Sequence, residues 1–253
     1  MLTETLNRAA IADSASTEHA ESTEHADITT LDTLLETPVS PGQGVDLSFV
    51  RTLHATFRRD FALLAEKLRA TRTGEGPSGA AIARWYDHLV IQLHHHHSIE
   101  DSELLPILRA KSDDPALNGP LDVVRRQHDE MDEILARVED GMRGVRFEAA
   151  ASEKLIAAVD ELVIHLNQHL DDEERDAFPV LEKLMTADEF EQFEAAVRKQ
   201  MGLRGAAVTF PWVLEGADEP TRQAILGQLP VPMRLVCRFV WVPAYRRKYA
   251  LPA

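Results

Sequence analysis

The chain has a single cysteine, Cys237, among 253 residues. That excludes an intramolecular disulfide framework, and also a cage of several thiolates around zinc or an iron–sulfur cluster. Aromatic residues make up only 6%, and 27 Lys and Arg face 42 Asp and Glu, a formal charge of −15. A surface of that sign repels phosphate backbones, so nucleic acid is not an expected partner. A polybasic membrane anchor is disfavoured for the same reason. No apolar run is long enough to cross a bilayer; the most apolar late stretch, Leu235 to Val242, is short and contains Arg238. The start, Met1-Leu2-Thr3-Glu4, lacks a basic region followed by an apolar run, so no signal peptide is expected. The expectation is a soluble cytoplasmic protein, and 44% hydrophobic with 27% charged residues is an ordinary globular composition.

What the chain does contain is one polar phrase written twice. His54 is followed by His96-x-x-x-Glu100, and His128 by His169-x-x-x-Glu173. The segments Ile91–Leu108 and Ile164–Leu181 align at a constant offset of 73 positions, with Pro106 over Pro179. Around these residues the hydrophobic spacing is helical. The first stripe runs Leu47, Val50, His54, Phe57, Phe61, Leu64, Leu68, with Asp46 as a capping residue. Ser78 opens a second helix with Ile82, Tyr86, Leu89, Leu93, His96, Glu100 and Ile107 inward. Asn118-Gly119-Pro120 is expected to open the third, with Leu121, Val124, His128, Met131, Leu135, Val138 and Met142 inward and Gly141 to Gly144 closing it. The fourth carries Leu155, Val159, Leu162, Leu166, His169, Glu173 and Val180. Four long amphipathic helices with short connections predict an all-α fold, an up-down-up-down four-helix bundle over residues 45–185.

Two further regions flank it. Residues 1–40 hold eight acidic residues and one basic residue and read as a disordered acidic tail, with a short helix near Leu31–Leu35. His19 and His25 in that tail read as solvated polar groups. Residues 186–253 read as a C-terminal helical extension. Thr186-Ala187-Asp188-Glu189 is a capping box for a fifth helix to about Met201, and a short helix follows over Glu219 to Leu229. The last 24 residues carry five basic and no acidic side chains, with Phe239, Trp241, Tyr245 and Tyr249. This segment is expected to pack over the bundle or to form a homodimer contact; a membrane-surface role is the alternative.

Within each stripe the polar exceptions fall at matching depth. Residues i and i+4 share a helix face, so His96 with Glu100, and His169 with Glu173, aim imidazole and carboxylate at one point. His54 and His128 add one imidazole each from the other two helices. Buried carboxylates without partners cost several kcal/mol or neutralise; two cations among them would remove the conflict. A sulfur-free nitrogen/oxygen set suits iron or manganese. Six protein ligands cannot complete two octahedra, so positions remain for water, dioxygen or peroxide.

The order His first, Glu four later, differs from the Glu-x-x-His pairs of ferritin-like di-iron bundles. With the doubled registration and the proline after each pair, the pattern resembles the hemerythrin-like, or HHE cation-binding, family, in its H-HxxxE-H-HxxxE subgroup. The resemblance covers about residues 47–185. It implies a four-helix bundle around a non-haem di-iron centre with an oxo or hydroxo bridge, and His54, His96, Glu100, His128, His169 and Glu173 as metal ligands. The chain departs from oxygen-carrying hemerythrins in having His128-x-x-x-Asp132 on the third helix and Glu173 after His169. A less histidine-rich centre shifts the expectation from oxygen transport toward reaction with hydrogen peroxide or dioxygen, catalase-like if it is an enzyme. The alternative is an iron, oxygen or nitric oxide binding or sensing module without turnover. His165, one turn before His169, and Asp132 are expected to hydrogen-bond a ligand rather than bind metal. Asp101 and Glu174 are weaker candidates for the same role. His88, His94, His95 and His97 lie outside the repeat and are expected at the surface or behind the ligands.

Overall fold

The computed structural model describes residues 44–74 and 76–249; the acidic tail, the helix near Leu31–Leu35, His19 and His25 lie outside them. Every regular element among the described residues is helical. Helix α1 spans Ser48–Ala70 and α2 spans Gly79–Ile99. A wide π-helical turn, Glu100–Leu104, leads straight into α3, Leu105–Lys111. Helix α4 is Pro115–Val145 and α5 is Glu153–Asp172. A second wide turn, Glu173–Ala177, leads into α6, Phe178–Leu184. The extension follows as α7 Ala187–Gly216, α8 Glu219–Gln228, α9 Val231–Val236, a third wide turn Cys237–Trp241, and α10 Val242–Tyr249.

Helices α1, α2, α4 and α5 form the bundle, each packed on its sequence neighbour, with α5 returning to close against α1. The four stripes meet inside: Phe57, Phe61, Leu64, Leu89, Leu93, Met131, Leu162 and Leu166 are buried. Local chemistry fixes the helix starts. Ser78 and Ser152 accept the N–H of Ala81 and Leu155, satisfying donors that a first turn leaves without partners. Glu148, at φ 63°, accepts the N–H groups of Gly79 and Ala80 at 2.8 and 3.0 Å, tying the α4–α5 loop to the start of α2. Gly79 is required there, because a Cβ would stand 2.2 Å from the Val145 carbonyl oxygen.

One expected boundary is corrected, one holds with an unforeseen continuation, and one feature is new. Helix α4 begins at Pro115 behind an Asp114 cap, and Pro120 lies inside it rather than at its start. Proline near a helix beginning forfeits few hydrogen bonds, so the earlier Asp-Pro pair sets the boundary. The fifth helix is interrupted at Gly202 (φ 60°, ψ −178°), beside its expected end near Met201; what was not expected is the further helical stretch to Gly216, which carries Pro211 and Trp212. Finally, the wide turns were not expected. Each ends two residues before a proline: Pro106, Pro179 and Pro243. In a regular helix a proline ring collides with the carbonyl four residues back and offers no N–H. A turn closed five residues apart, Leu105 N–H to Glu100 O and Phe178 N–H to Glu173 O, relieves that collision.

The extension lies on the α1–α2 side. Trp212 is fully buried, its ring 5.0 Å from Phe57 and 5.3 Å from His88, and its Nε1–H donates to Asp60 at 2.7 Å. His88, expected at the surface or behind the ligands, is therefore buried, and away from the ligands. Its cover comes from residues more than a hundred positions away.

Candidate metal centre

The two helical pairs, with His54 and His128, converge at one depth of the bundle. His54, His96, Glu100, His128, His169 and Glu173 are all buried. His96 Nε2 stands 3.2 Å from Glu100 Oε1, and His128 Nε2 stands 3.3 Å from Glu100 Oε2. The two oxygens of one carboxylate thus face two different groups of imidazoles. Glu173 Oε2 lies 3.4 Å from His54 Nε2 and 3.8 Å from His169 Nε2, again between the groups. Both glutamates open a wide turn, which carries the chain past the site with an extra residue.

The reading of His97 is corrected. Expected at the surface or behind the ligands, it stands buried among them and stacks on His128 with ring centroids 4.0 Å apart and planes 14° from parallel. Two sets of side chains could each hold an ion: His54, His96, Glu100 and Glu173 form one, and His97, His128 and His169 the other. With five imidazoles the centre is richer in histidine than the sequence repeat implied. The signal was present: Leu89, Leu93 and His97 form an i, i+4, i+8 row, so His97 continues the inward face as well as His96 does.

The chemistry of these groups fits a cation. The Nε2 atoms of His54, His96, His97, His128 and His169, and the Oε2 atoms of Glu100 and Glu173, are buried without a hydrogen-bond partner. One such atom costs about 1–3 kcal/mol, and seven collected at one point describe a site shaped for something that accepts lone pairs. Burial, reinforced by neighbouring histidines, pushes His96, His97 and His169 well below the usual histidine range and keeps them neutral, the form that ligates. His128 differs. Burial opposes its charge, but the hydrogen bond with Asp101 and the nearby charges of Glu100 and Asp101 outweigh burial and lift it to about 9. Burial and then the charge of Glu100 raise Glu173. A cation among these groups would favour the carboxylates and release the His128 proton.

Behind the ligating atoms the twofold pattern continues. His54 Nδ1 pairs with Glu174 Oε1 at 2.9 Å, and His128 Nδ1 with Asp101 Oδ1 at 2.9 Å. In each half the residue after the glutamate orients the histidine of the other half. The hydrogen bond to His54, and beyond it Arg58 at 2.8 Å, overcome partial burial and hold Glu174 down at about 2. An Nδ1–H donated to a carboxylate fixes the tautomer, leaving the Nε2 lone pair inward. His169 Nδ1 meets Gln127 Oε1 at 3.3 Å, and Gln127 donates to Asp172. Asp132 and His165 stand elsewhere. Asp132 is exposed and lies 3.5 Å from His94, while His165 faces Glu130 at 3.5 Å. Asp101 and Glu174 fill the role expected of them.

Next to the two glutamates lies a cavity of about 20 Å³, walled by Leu105, Leu108, Leu121 and Phe178. One water needs about 10–15 Å³ measured in this way, so the space admits a molecule of two heavy atoms and no organic substrate.

The family model described as hemerythrin HHE cation binding domain matches residues 45–181 and, in an overlapping second match, 120–202. No curated protein and no solved structure matches the chain. No helix among the described residues is long and apolar enough to cross a membrane.

Proposed function

Since the chain belongs to the hemerythrin HHE cation-binding domain family, we propose that it is a non-haem di-iron protein whose centre reacts with hydrogen peroxide or dioxygen. The observation that carries this reading is the position of Glu100, with one oxygen toward His96 and the other toward His128. A carboxylate placed in this way would help to hold both ions of a pair. On this reading His54 and His96 hold one ion, His97, His128 and His169 hold the other, and Glu173 is shared. The His54/His96 side offers one imidazole fewer, so an ion held there would be the one more open to an external ligand. A pair of irons, when bound, supplies two one-electron redox equivalents beside that space.

The chain's own residues do the rest. Glu174 and Asp101 keep two imidazoles in the ligating tautomer. Leu105, Leu108, Leu121 and Phe178 keep bulk water and larger substrates out. Peroxide disproportionation, a catalase-like activity, is the turnover form of this reading. The fifth imidazole, His97, and the apolar wall favour a second reading, reversible binding of dioxygen or nitric oxide without turnover.

One experiment separates the two. Iron-loaded protein is given hydrogen peroxide in an oxygen electrode. Many oxygen molecules released per chain support the enzyme. Oxygen uptake reversed by lowering oxygen pressure, with no peroxide loss, supports the binding module. A chain that retains no iron after loading refutes both.

A further inference from the structure

Between His96 and the C-terminal surface runs a file of rings that the metal chemistry above does not use. Phe57 stacks on His96 at 5.6 Å. Trp212 follows Phe57 at 5.0 Å, and His88 follows Trp212 at 5.3 Å. Tyr245 and Tyr249 lie 5.5 and 4.5 Å from His88, and 5.3 Å from each other. Tyr249 is half-buried, at the edge of solvent. Sealing the bundle would need only aliphatic side chains. Instead, each buried oxidisable ring has its polar hydrogen against a base: Trp212 Nε1–H donates to Asp60 at 2.7 Å, and the Tyr245 hydroxyl meets His88 Nε2 at 3.4 Å. Asp60 and His88 are themselves buried and have no part in the metal site.

We propose that this file carries single-electron holes between the metal centre and the surface at Tyr249, with Trp212 and Tyr245 as stations. This rests on the peroxide or dioxygen reading, and hydrogen peroxide acting at the centre is the oxidant. Trp212 gives one electron toward His96 and its Nε1 proton to the Asp60 carboxylate. An electron from Tyr245 refills Trp212, Asp60 returns the proton, and the Tyr245 phenol proton passes to His88 Nε2. Tyr249 then supplies an electron to Tyr245, which recovers its proton from His88, and loses its own phenol proton to water. A small one-electron donor of the thiol or ascorbate class restores Tyr249. Phe57 is not oxidised; it fills the gap between the His96 and Trp212 rings. Burial, and then the charge of Lys248, depress His88 to about 3, which leaves its Nε2 lone pair free to accept. Burial raises Tyr245, so the phenol keeps its proton until an electron leaves. Such a file would discharge oxidising equivalents that would otherwise attack the ligands.

The test uses a water-soluble ruthenium photo-oxidant on the full chain, with iron content measured on the same samples. All variants carry Trp85→Phe and Trp241→Phe, so that Trp212 is the one indole left in the chain. After a flash, a tyrosyl signal is expected to give way to an indolyl signal. Trp212→Phe should abolish the indolyl signal, and Tyr249→Phe should slow its growth at least tenfold. In samples that hold ferrous iron the indolyl signal should decay faster than after chelation. An indolyl yield unchanged in Trp212→Phe, growth unchanged in Tyr249→Phe, or equal lifetimes with and without bound iron would each overturn the proposal. Because light rather than peroxide starts the reaction, these outcomes are distinct from a failure to consume peroxide. A purely structural role for Trp212 would leave the indolyl signature of the native chain unexplained.

Discussion

Replacing Glu174 tests whether the carboxylates behind the histidines set the affinity of the centre. Glu174 Oε1 sits 2.9 Å from His54 Nδ1 and accepts from Arg58 at 2.8 Å, while Arg51 donates to Oε2 at 3.2 Å. A hydrogen bond to a charged group is worth about 1.5–3 kcal/mol, against about 0.5–1.5 for a neutral pair. Glu174→Gln keeps the shape and loses about 1–1.5 kcal/mol, roughly tenfold in affinity. The amide can also turn its NH2 toward Nδ1, which would put the ring proton on Nε2 and block ligation. Glu174→Leu removes the acceptor altogether and should approach the hundredfold end of about 10–100-fold. Asp101→Asn should match Glu174→Gln, because Asp101 stands at the same distance from His128. Asp132→Asn is the control: it is exposed, pairs with His94 and should bind metal as the native chain does. The assay is competition for ferrous ion against a chromophoric chelator, under anaerobic conditions. Native affinity in both Glu174 variants, or an Asp132→Asn loss as large as theirs, would refute the reasoning.

Other outcomes follow from the same geometry. His97→Ala should lower the metal content from two ions per chain toward one, while His95→Ala, whose side chain is exposed, should leave it unchanged by elemental analysis. Stripping the metal should lower the melting temperature. Free metal at a hundred times Kd contributes about 2.7 kcal/mol, which for a chain of this size is roughly 5–11 °C in a calorimetric scan. Leu162→Ala, at a fully buried bundle position, should cost about 2–5 kcal/mol in denaturant unfolding. His88 gives a pH signature. Its folded pKa of about 3 lies below the ordinary 6.5, so the unfolded chain binds the extra proton. The contribution is complete above about pH 6.5 and is lost as pH falls toward 3, on the order of 5 kcal/mol in all. The groups around the ring are Trp212, Tyr245, Tyr249 and Lys248. His88→Gln should flatten the slope of stability with pH across that window, read by tryptophan fluorescence.

The bundle was legible because its signal is periodic. Four apolar stripes, interrupted at matching depth by His54, His96, His128 and His169, specify both the helices and the face on which polar groups meet. The doubled spacing singled out Glu100 and Glu173 for the same reason. His97 escaped because the repeat puts Leu170 at its place, so reasoning by symmetry discarded the residue that breaks the symmetry. Asp132 was favoured over Asp101 and Glu174 because it lies four residues from His128 on one helix. The residues that touch His54 and His128 come instead from the opposite half, a relation that only packing creates. His88 and Trp212 are the clearest case of tertiary burial: nothing near position 88 announces a cover supplied by α7 and α10. The wide turns were hidden because a proline inside a helical pattern says that a hydrogen bond is missing, without saying how the backbone absorbs the loss.

Those turns also tie together two parts of the chain that look independent. A five-residue closure adds one position to the helix, and one position rotates everything downstream by about 100°. That rotation turns Leu105 and Leu108, and Phe178 and Leu181, into a second apolar cluster beneath the two glutamates. Excising a single residue from either turn would therefore leave the ligands upstream in place while swinging the floor of the gas-sized cavity toward water. The proline that follows each glutamate is thus a surveyor's mark: it fixes, from outside the coordination sphere, which way the barrel's lower storey faces.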